Sequence, residues 1–208
     1  MRWAVTVACV WCATVVCSRD MKARPDPQEH WNQRYLDGWP QEPTSFLLSI
    51  ADLLPVSGRA LDVAGGNGRN ALWLAARGLD TTVVDVSDRA LGFARTEAAD
   101  REVQLTCIHA DLRSEALPSG EWDLILCSHY LQRDLFPAMI GSLAERGMLA
   151  CAIATVRNLE RHPRPPREFV LDEGELARLV GGLTVIRYEE GWFDDHHEER
   201  IVARKSLH

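Results

Sequence analysis

The segment with the most chemistry in it is Leu61-Asp62-Val63-Ala64-Gly65-Gly66-Asn67-Gly68-Arg69-Asn70-Ala71, which lies between a short apolar run and an amphipathic stretch. Glycines in such a turn let the backbone approach a ligand closely, and the first turn of the following helix presents free N–H groups and a partial positive charge. This is the geometry of a nucleotide site. Gly66-x-Gly68-x-x-Ala71 fits a dinucleotide fingerprint, and Asp85, at the end of the next apolar run, stands where an acidic side chain binds ribose hydroxyls. Asp62 argues for a different ligand, because a carboxylate ahead of the glycines repels a pyrophosphate but suits an amino group or a bound water.

A nucleoside with a cationic end meets both demands, and S-adenosylmethionine has that shape: a ribose diol, adenine and an amino-acid tail, without phosphate. A nicotinamide dinucleotide is the alternative that the glycines alone leave open, although it gives Asp62 no role and the chain shows no second nucleotide-binding half.

The elements that must hold this turn follow from the hydrophobic pattern. Residues 59–63, 81–86, 103–109, 122–128 and 148–155 are short runs rich in Val, Ile, Leu and Cys, without the alternation of a half-wet strand. Strands buried on both faces read this way. Residues 69–77, 87–101 and 132–145 between them read as helices, with Ser87 as an N-cap. Strand and helix alternating at this spacing imply right-handed βαβ units and a parallel sheet.

Ahead of them, Asp26-Pro27-Gln28-Glu29 supplies a capping carboxylate, a proline at the first helical position and a Glu at the third. A helix is expected there, carrying His30, Trp31, Arg34 and Tyr35 and breaking at Gly38 and Pro40, with a second over 44–54. Near the end, Asp172 and Glu175 form a capping-box pattern for a helix to about Val180. Strands over 183–188 and 201–205 follow, and the polar stretch 192–200 between them has no room for a crossover helix, so they pair as an antiparallel hairpin at the sheet edge.

Asp62-x-Ala64-x-Gly66-x-Gly68 resembles the first motif, D/E-x-G-x-G-x-G, of the class I S-adenosylmethionine-dependent methyltransferases. The longer string Gly66-Asn67-Gly68-Arg69-Asn70, with Leu72, Leu74-Ala75-Ala76, Gly78 and Asp80, is similar to the tellurite-resistance branch of small-molecule methyltransferases. Trp31-Asn32-Gln33-Arg34-Tyr35, Pro43-Thr44-Ser45-Phe46-Leu47 and the stretch from Phe169 to Leu176 resemble further patterns of that group, so the likeness covers about residues 28–205.

The resemblance implies an α/β Rossmann-like sheet of seven strands, mostly parallel with a C-terminal antiparallel hairpin and helices on both faces. It implies a cofactor site at Asp62, Ala64, Gly65, Gly66 and Gly68, with Asp85 on the ribose and Val86 against adenine. It further places Asp111 on the adenine amino group with Leu112 beside it, and Cys127 and Ser128 at the methionine part. Ala64 departs from the family by replacing the first glycine, and its methyl would crowd the ligand; a degenerate, non-catalytic S-adenosylmethionine-binding module is therefore the alternative function.

Methyl transfer from a sulfonium is an in-line displacement, so alignment and water exclusion are the main demands on the protein. Soft acceptors such as reduced chalcogen oxyanions or thiolates need no general base, and the sequence shows no catalytic triad. His129 and Tyr130 after the fourth strand, and Arg157 after the fifth, are the acceptor-pocket candidates, because ligands sit beyond the carboxyl ends of parallel strands. His196 and His197 read as exposed hairpin residues.

Composition sets the remaining bounds. At 208 residues the chain has the size of one domain, with cofactor and acceptor sharing a core. A formal charge of -7, with no concentrated basic face, argues against nucleic acid as a partner. The expected partner is a small-molecule acceptor; nothing fixes an oligomeric state, and no metal site is expected. Residues 1–20 are an apolar leader that reads as signal-like or as a mis-assigned start, with the methyltransferase domain over 21–208. Cys107, Cys127 and Cys151 lie in separate apolar runs and read as buried small hydrophobes, which suits a cytoplasmic protein without a membrane partner; export or anchoring is the alternative if the leader acts as a signal.

Overall fold

The computed structural model describes residues 26–37 and 39–206, so the apolar leader lies outside the described residues. Seven strands form one sheet: β1 (Arg59–Val63), β2 (Asp80–Asp85), β3 (Leu105–His109), β4 (Trp122–Ser128), β5 (Leu143–Ala154), β6 (Thr184–Phe193) and β7 (His196–Arg204). Their order is β3-β2-β1-β4-β5-β7-β6, with β7 antiparallel to both neighbours and the other pairings parallel. The helices are α1 (Pro27–Arg34), α2 (Ser45–Ser49), α3 (Arg69–Ala76), α4 (Asp88–Asp100), α5 (Phe136–Gly141) and α6 (Glu175–Leu179).

The central strands bury both faces, and alternate residues serve two cores. Leu61, Ile125, Leu149 and Cys151 pack with Phe136 and Met139 of α5 and Leu176 of α6. Ala60, Leu124, Leu126 and Ala150 pack on the other face with Phe46, Leu47 and Leu74 of α2 and α3. Helices thus cover both sides, the condition for a parallel sheet. Each fully buried Leu or Ile contributes about 1.5–3 kcal/mol relative to exposure.

The caps read from sequence hold at two ends. Asp26 accepts the Glu29 N–H ahead of α1, and Ser87 Oγ accepts the Ala90 N–H at 3.1 Å ahead of α4. Five expectations need correction. The helix expected over 132–145 is a 3-10 turn followed by α5, which stops at Gly141, and Leu143 already belongs to β5. Phe136, Met139 and Leu143 mimic a helical stripe because the end of a helix and the start of a strand reach the same core. The second helix is shorter than 44–54: Thr44 caps α2, which ends at Ser49, and buried Ile50 and Leu54 follow in turns.

Third, the C-terminal hairpin has longer strands than expected, and they meet in a tight turn. Its connection is only Asp194-Asp195, both with positive φ (46° and 69°), joining Phe193 to its partner His196. Two left-handed residues in a two-residue loop match the twist of the strands, and Asp tolerates that conformation. His197 to Arg200 are therefore strand residues and buried, whereas their charges read as loop. Fourth, Asp172 does not cap α6 with its side chain. Gly174 is the N-cap, and the buried Glu199 of β7 accepts the N–H groups of Glu175 (3.2 Å) and Leu176 (2.8 Å). The edge strand β3 is also only half-buried, Cys107 with it, while Cys127 and Cys151 are buried. No helix among the described residues is long and apolar enough to cross a membrane.

Candidate cofactor and acceptor site

Strand order reverses direction between β1 and β4, since β2 and β3 continue to one side and β5 to the other. Such a switch point leaves a crevice beyond the carboxyl ends of the strands. The loops after β1 to β4 meet there around a cavity of about 890 Å3, counting its open mouth. Trp31 of α1, with Tyr35 and Trp39 that follow it, closes one side.

The turn after β1 is built by close approach. Gly66 has φ +58°, and a Cβ there would stand 1.9 Å from the Tyr35 hydroxyl. A Cβ on Gly65 would stand 2.5 Å from Asp62 Oδ2. Both positions therefore require glycine. Ala64 also takes a left-handed conformation (φ 53°) and lines the cavity.

Asp85 Oδ2 accepts the Gly66 N–H and Oδ1 the Ser87 N–H, each at 2.8 Å. It thus braces the glycine turn while lining the cavity. Burial raises its pKa, and those backbone hydrogen bonds oppose the rise. Asp62 is buried, and its pKa is pushed up to about 7 by burial first and then by the nearby Asp85 charge. Its Oδ2 and the Ser128 Oγ are buried without a hydrogen-bond partner, and both residues line the cavity. Two orphaned polar atoms on side chains that line one cavity fit a ligand with a donor and an acceptor close together, as in an amino-acid tail.

On the opposite wall, Asp111 holds Arg113 through Oδ1 and Oδ2, with Nη2 2.7 Å from Oδ2. This ion pair lowers the Asp111 pKa. On the remaining side His129 and Tyr130 complete the lining; the Tyr130 hydroxyl donates to Gln132 Oε1 at 2.5 Å.

Of the residues singled out in the sequence, Asp62, Ala64, Gly65, Gly66, Asp85, Val86, Asp111, Leu112, His129 and Tyr130 line this cavity. Three do not. Gly68 stands behind it against Ala94 of α4, Cys127 is buried with its thiol on the Tyr130 carbonyl, and Arg157 sits exposed beside Glu160. Arg69, Asn70 and Arg113 line the cavity without having been assigned a role. Glu198, the neighbour of His129, was also missed, because a charged run in the chain reads as solvated.

Residues 60–147 match the family model of a methyltransferase domain. Over this stretch, less than half of its length, the chain is similar to methyltransferase domains. The chain is similar in structure to TehB of Haemophilus influenzae (TM-score 0.68, 18% identity, 86% of this chain and 67% of that one). It is also similar to magnesium protoporphyrin IX methyltransferase of Synechocystis PCC 6803, solved with bound S-adenosylhomocysteine (TM-score 0.59, 20% identity, 86% and 84% covered). In sequence it is 25% identical over 138 residues to a protein named hemagglutinin 1 of Eikenella corrodens, over 64% of this chain and 46% of that one. The chain thus spans about half the length of this curated relative.

Proposed function

We propose that this chain is a methyltransferase that transfers the methyl group of S-adenosylmethionine to a small-molecule acceptor within this cavity. The observation that carries the reading is the pairing of two buried carboxylates, Asp62 and Asp85, with unpartnered polar atoms at the switch point of the sheet. In this reading Asp85 binds the ribose hydroxyls with its free lone pairs, Val86 and Leu112 flank the adenine, and Asp111 accepts from its amino group. Asp62 and Ser128 take the amino-acid end. When bound, the cofactor supplies an electrophilic methyl on a sulfonium; the chain aligns the acceptor and excludes water.

Acceptors of the tellurite-resistance branch, chalcogen oxyanions and thiols, belong on the first panel because of the sequence resemblance. A cytoplasmic setting belongs to the same proposal and is supported by the free thiols Cys107, Cys127 and Cys151. A second reading, cofactor binding without turnover, is favoured by the Ala64 methyl on the cavity wall. A nicotinamide dinucleotide is disfavoured, because the Asp62 carboxylate lies buried behind the glycine turn where its pyrophosphate would sit.

Calorimetric titration with S-adenosylhomocysteine and, in parallel, NADH tests the cofactor. Micromolar binding of the first alone is expected, and binding of NADH alone refutes the proposal. Asp85→Ala weakens S-adenosylhomocysteine by about 1.5–3 kcal/mol, the value of hydrogen bonds to a charged group; unchanged affinity in a folded variant removes the ribose role.

A further inference from the structure

His129 takes a left-handed backbone conformation directly after β4. Its φ is +59°, uncommon for a residue with a Cβ, and its N–H donates to the Ala152 carbonyl at 2.8 Å. Backbone strain of this kind persists where neighbouring structure over-determines it, and it clusters at functional sites. Here it turns the ring so that Nδ1 lies 3.3 Å from Glu198 Oε1, while the residue still lines the cavity.

Glu198 is only 2% exposed, and its other oxygen accepts Arg200 Nε at 2.9 Å. Arg200 is buried in turn, stacked 3.8 Å over the Phe193 ring and reaching Ser45 Oγ at 3.4 Å. A desolvated carboxylate held by a buried guanidinium is a fixed charge with little freedom to move. The groups facing His129 are Glu198, Arg200 and His196 of β7 and Arg69 of α3. Partial desolvation at the cavity mouth first, and Arg69, His196 and Arg200 after it, lower the imidazole pKa against the pull of Glu198, although close to half of the side chain remains open to solvent.

Resting on the methyl-transfer reading, we propose that His129 is the general base of this site, oriented by Glu198 and Arg200, and that the acceptor carries a proton on its nucleophilic atom, as a phenol-type hydroxyl does. With Nδ1 turned to Glu198, Nε2 is the nitrogen left for a group in the cavity. Nε2 takes the acceptor's proton as the acceptor's lone pair forms the new bond to the methyl carbon. The methyl–sulfur bond breaks with its electron pair staying on sulfur, which becomes a neutral thioether. Glu198 stabilises the imidazolium that results, and the proton leaves through the 46% of the His129 side chain that is open to solvent. Glu198 and Arg200 are positioning residues, since they act through the ring. Aromatic walls at Trp31, Tyr35 and Tyr130 suit a flat acceptor.

Two probes on the intact chain test this: phenol, protonated at neutral pH, and an aryl thiol that is already ionised. In the wild-type chain, phenol methylation rises about tenfold per pH unit below the His129 titration and then levels. His129→Gln is expected to lower phenol turnover by roughly 100- to 10,000-fold, the usual worth of a positioned base, and to abolish the pH limb. The thiolate, with no proton to remove, loses less than tenfold. Unaltered S-adenosylhomocysteine affinity shows that the variant is folded. Glu198→Gln moves the limb to lower pH, because loss of the carboxylate disfavours the imidazolium, and Glu198→Asp restores part of the shift.

Equal losses on both probes, a pH limb that survives His129→Gln, or wild-type transfer to the thiolate alone would each overturn the assignment. A wild-type chain that binds S-adenosylhomocysteine and methylates neither probe overturns methyl transfer along with it. One that does not bind S-adenosylhomocysteine refutes the cofactor reading first.

Discussion

Asp62 has its pKa raised to about 7 in the folded chain, against about 3.9 in an unfolded one. Between these values the folded state binds more protons than the unfolded state, so stability falls as pH rises from about 4 to 7 and is flat above. An ammonium group arriving beside Asp62 selects its ionised form. S-adenosylhomocysteine affinity should therefore rise with pH up to about 7 and then level, with proton release below it. Calorimetry in buffers of different ionisation enthalpy measures both; Asp62→Asn should flatten the profile and abolish the loss of stability between pH 4 and 7. An affinity that does not change with pH would remove the ammonium from this carboxylate. Ala64 is a second test. A left-handed conformation costs an L residue about 1–2 kcal/mol, and the relief that glycine brings is offset by about 0.4–1 kcal/mol because glycine raises the entropy of the unfolded chain. Ala64→Gly is thus expected to leave the melting temperature unchanged or slightly raised and to tighten S-adenosylhomocysteine severalfold as the methyl leaves the cavity wall. The residues legible in the sequence were those with a fixed offset from a strand end, such as Asp62, Asp85 and Asp111. Glu198 reaches the site from β7, 69 positions after His129, and no local pattern carries that distance.

Elements were legible where burial and local propensity agree. β1, β4 and α4 fall within a residue or so of their expected ends, because continuous apolar runs and a serine cap act over a few residues. β7 was not, since its central residues Glu198, Glu199 and Arg200 are charged yet buried. Each has a partner supplied by another part of the fold or by its neighbour, and such compensation is tertiary. Glu199 shows what the element gains: its carboxylate satisfies two N–H groups at the start of α6, where no side chain of the helix does so. Burial raises its pKa, and the hydrogen bonds from α6 oppose the rise. Glu199→Gln retains the size but places an NH2 against those donors. A loss of about 1–2 kcal/mol is expected, the scale of a lost cap, read as a lower denaturant midpoint with an unchanged slope. No loss would show that water serves the helix end equally well.

At the scale of the molecule, the site joins parts of very different stability. Its floor is the ends of strands from the buried sheet, while α1 on its roof has no buried residue. What holds α1 is polar: Asn32 donates to Asp88 at 2.7 Å and accepts from Ser87 Oγ at 2.6 Å, both at the start of α4. Below it Tyr35 is buried over Gly66. Segments with few buried apolar contacts open locally long before the core unfolds. A ligand between roof and floor adds its binding energy to both. At a hundred times its Kd, S-adenosylhomocysteine should raise global stability by about 2.7 kcal/mol. For a domain of this size that is a rise of roughly 5–11 °C in Tm, at about 2–4 °C per kcal/mol; NADH at the same concentration should give none. Hydrogen exchange separates the two layers: amides of α1 and of the turn after β1 should gain the most protection, because they are the least stable parts that the ligand touches. A thermal shift with protection confined to the strand-end loops would mean that α1 stands beside the site and does not close it.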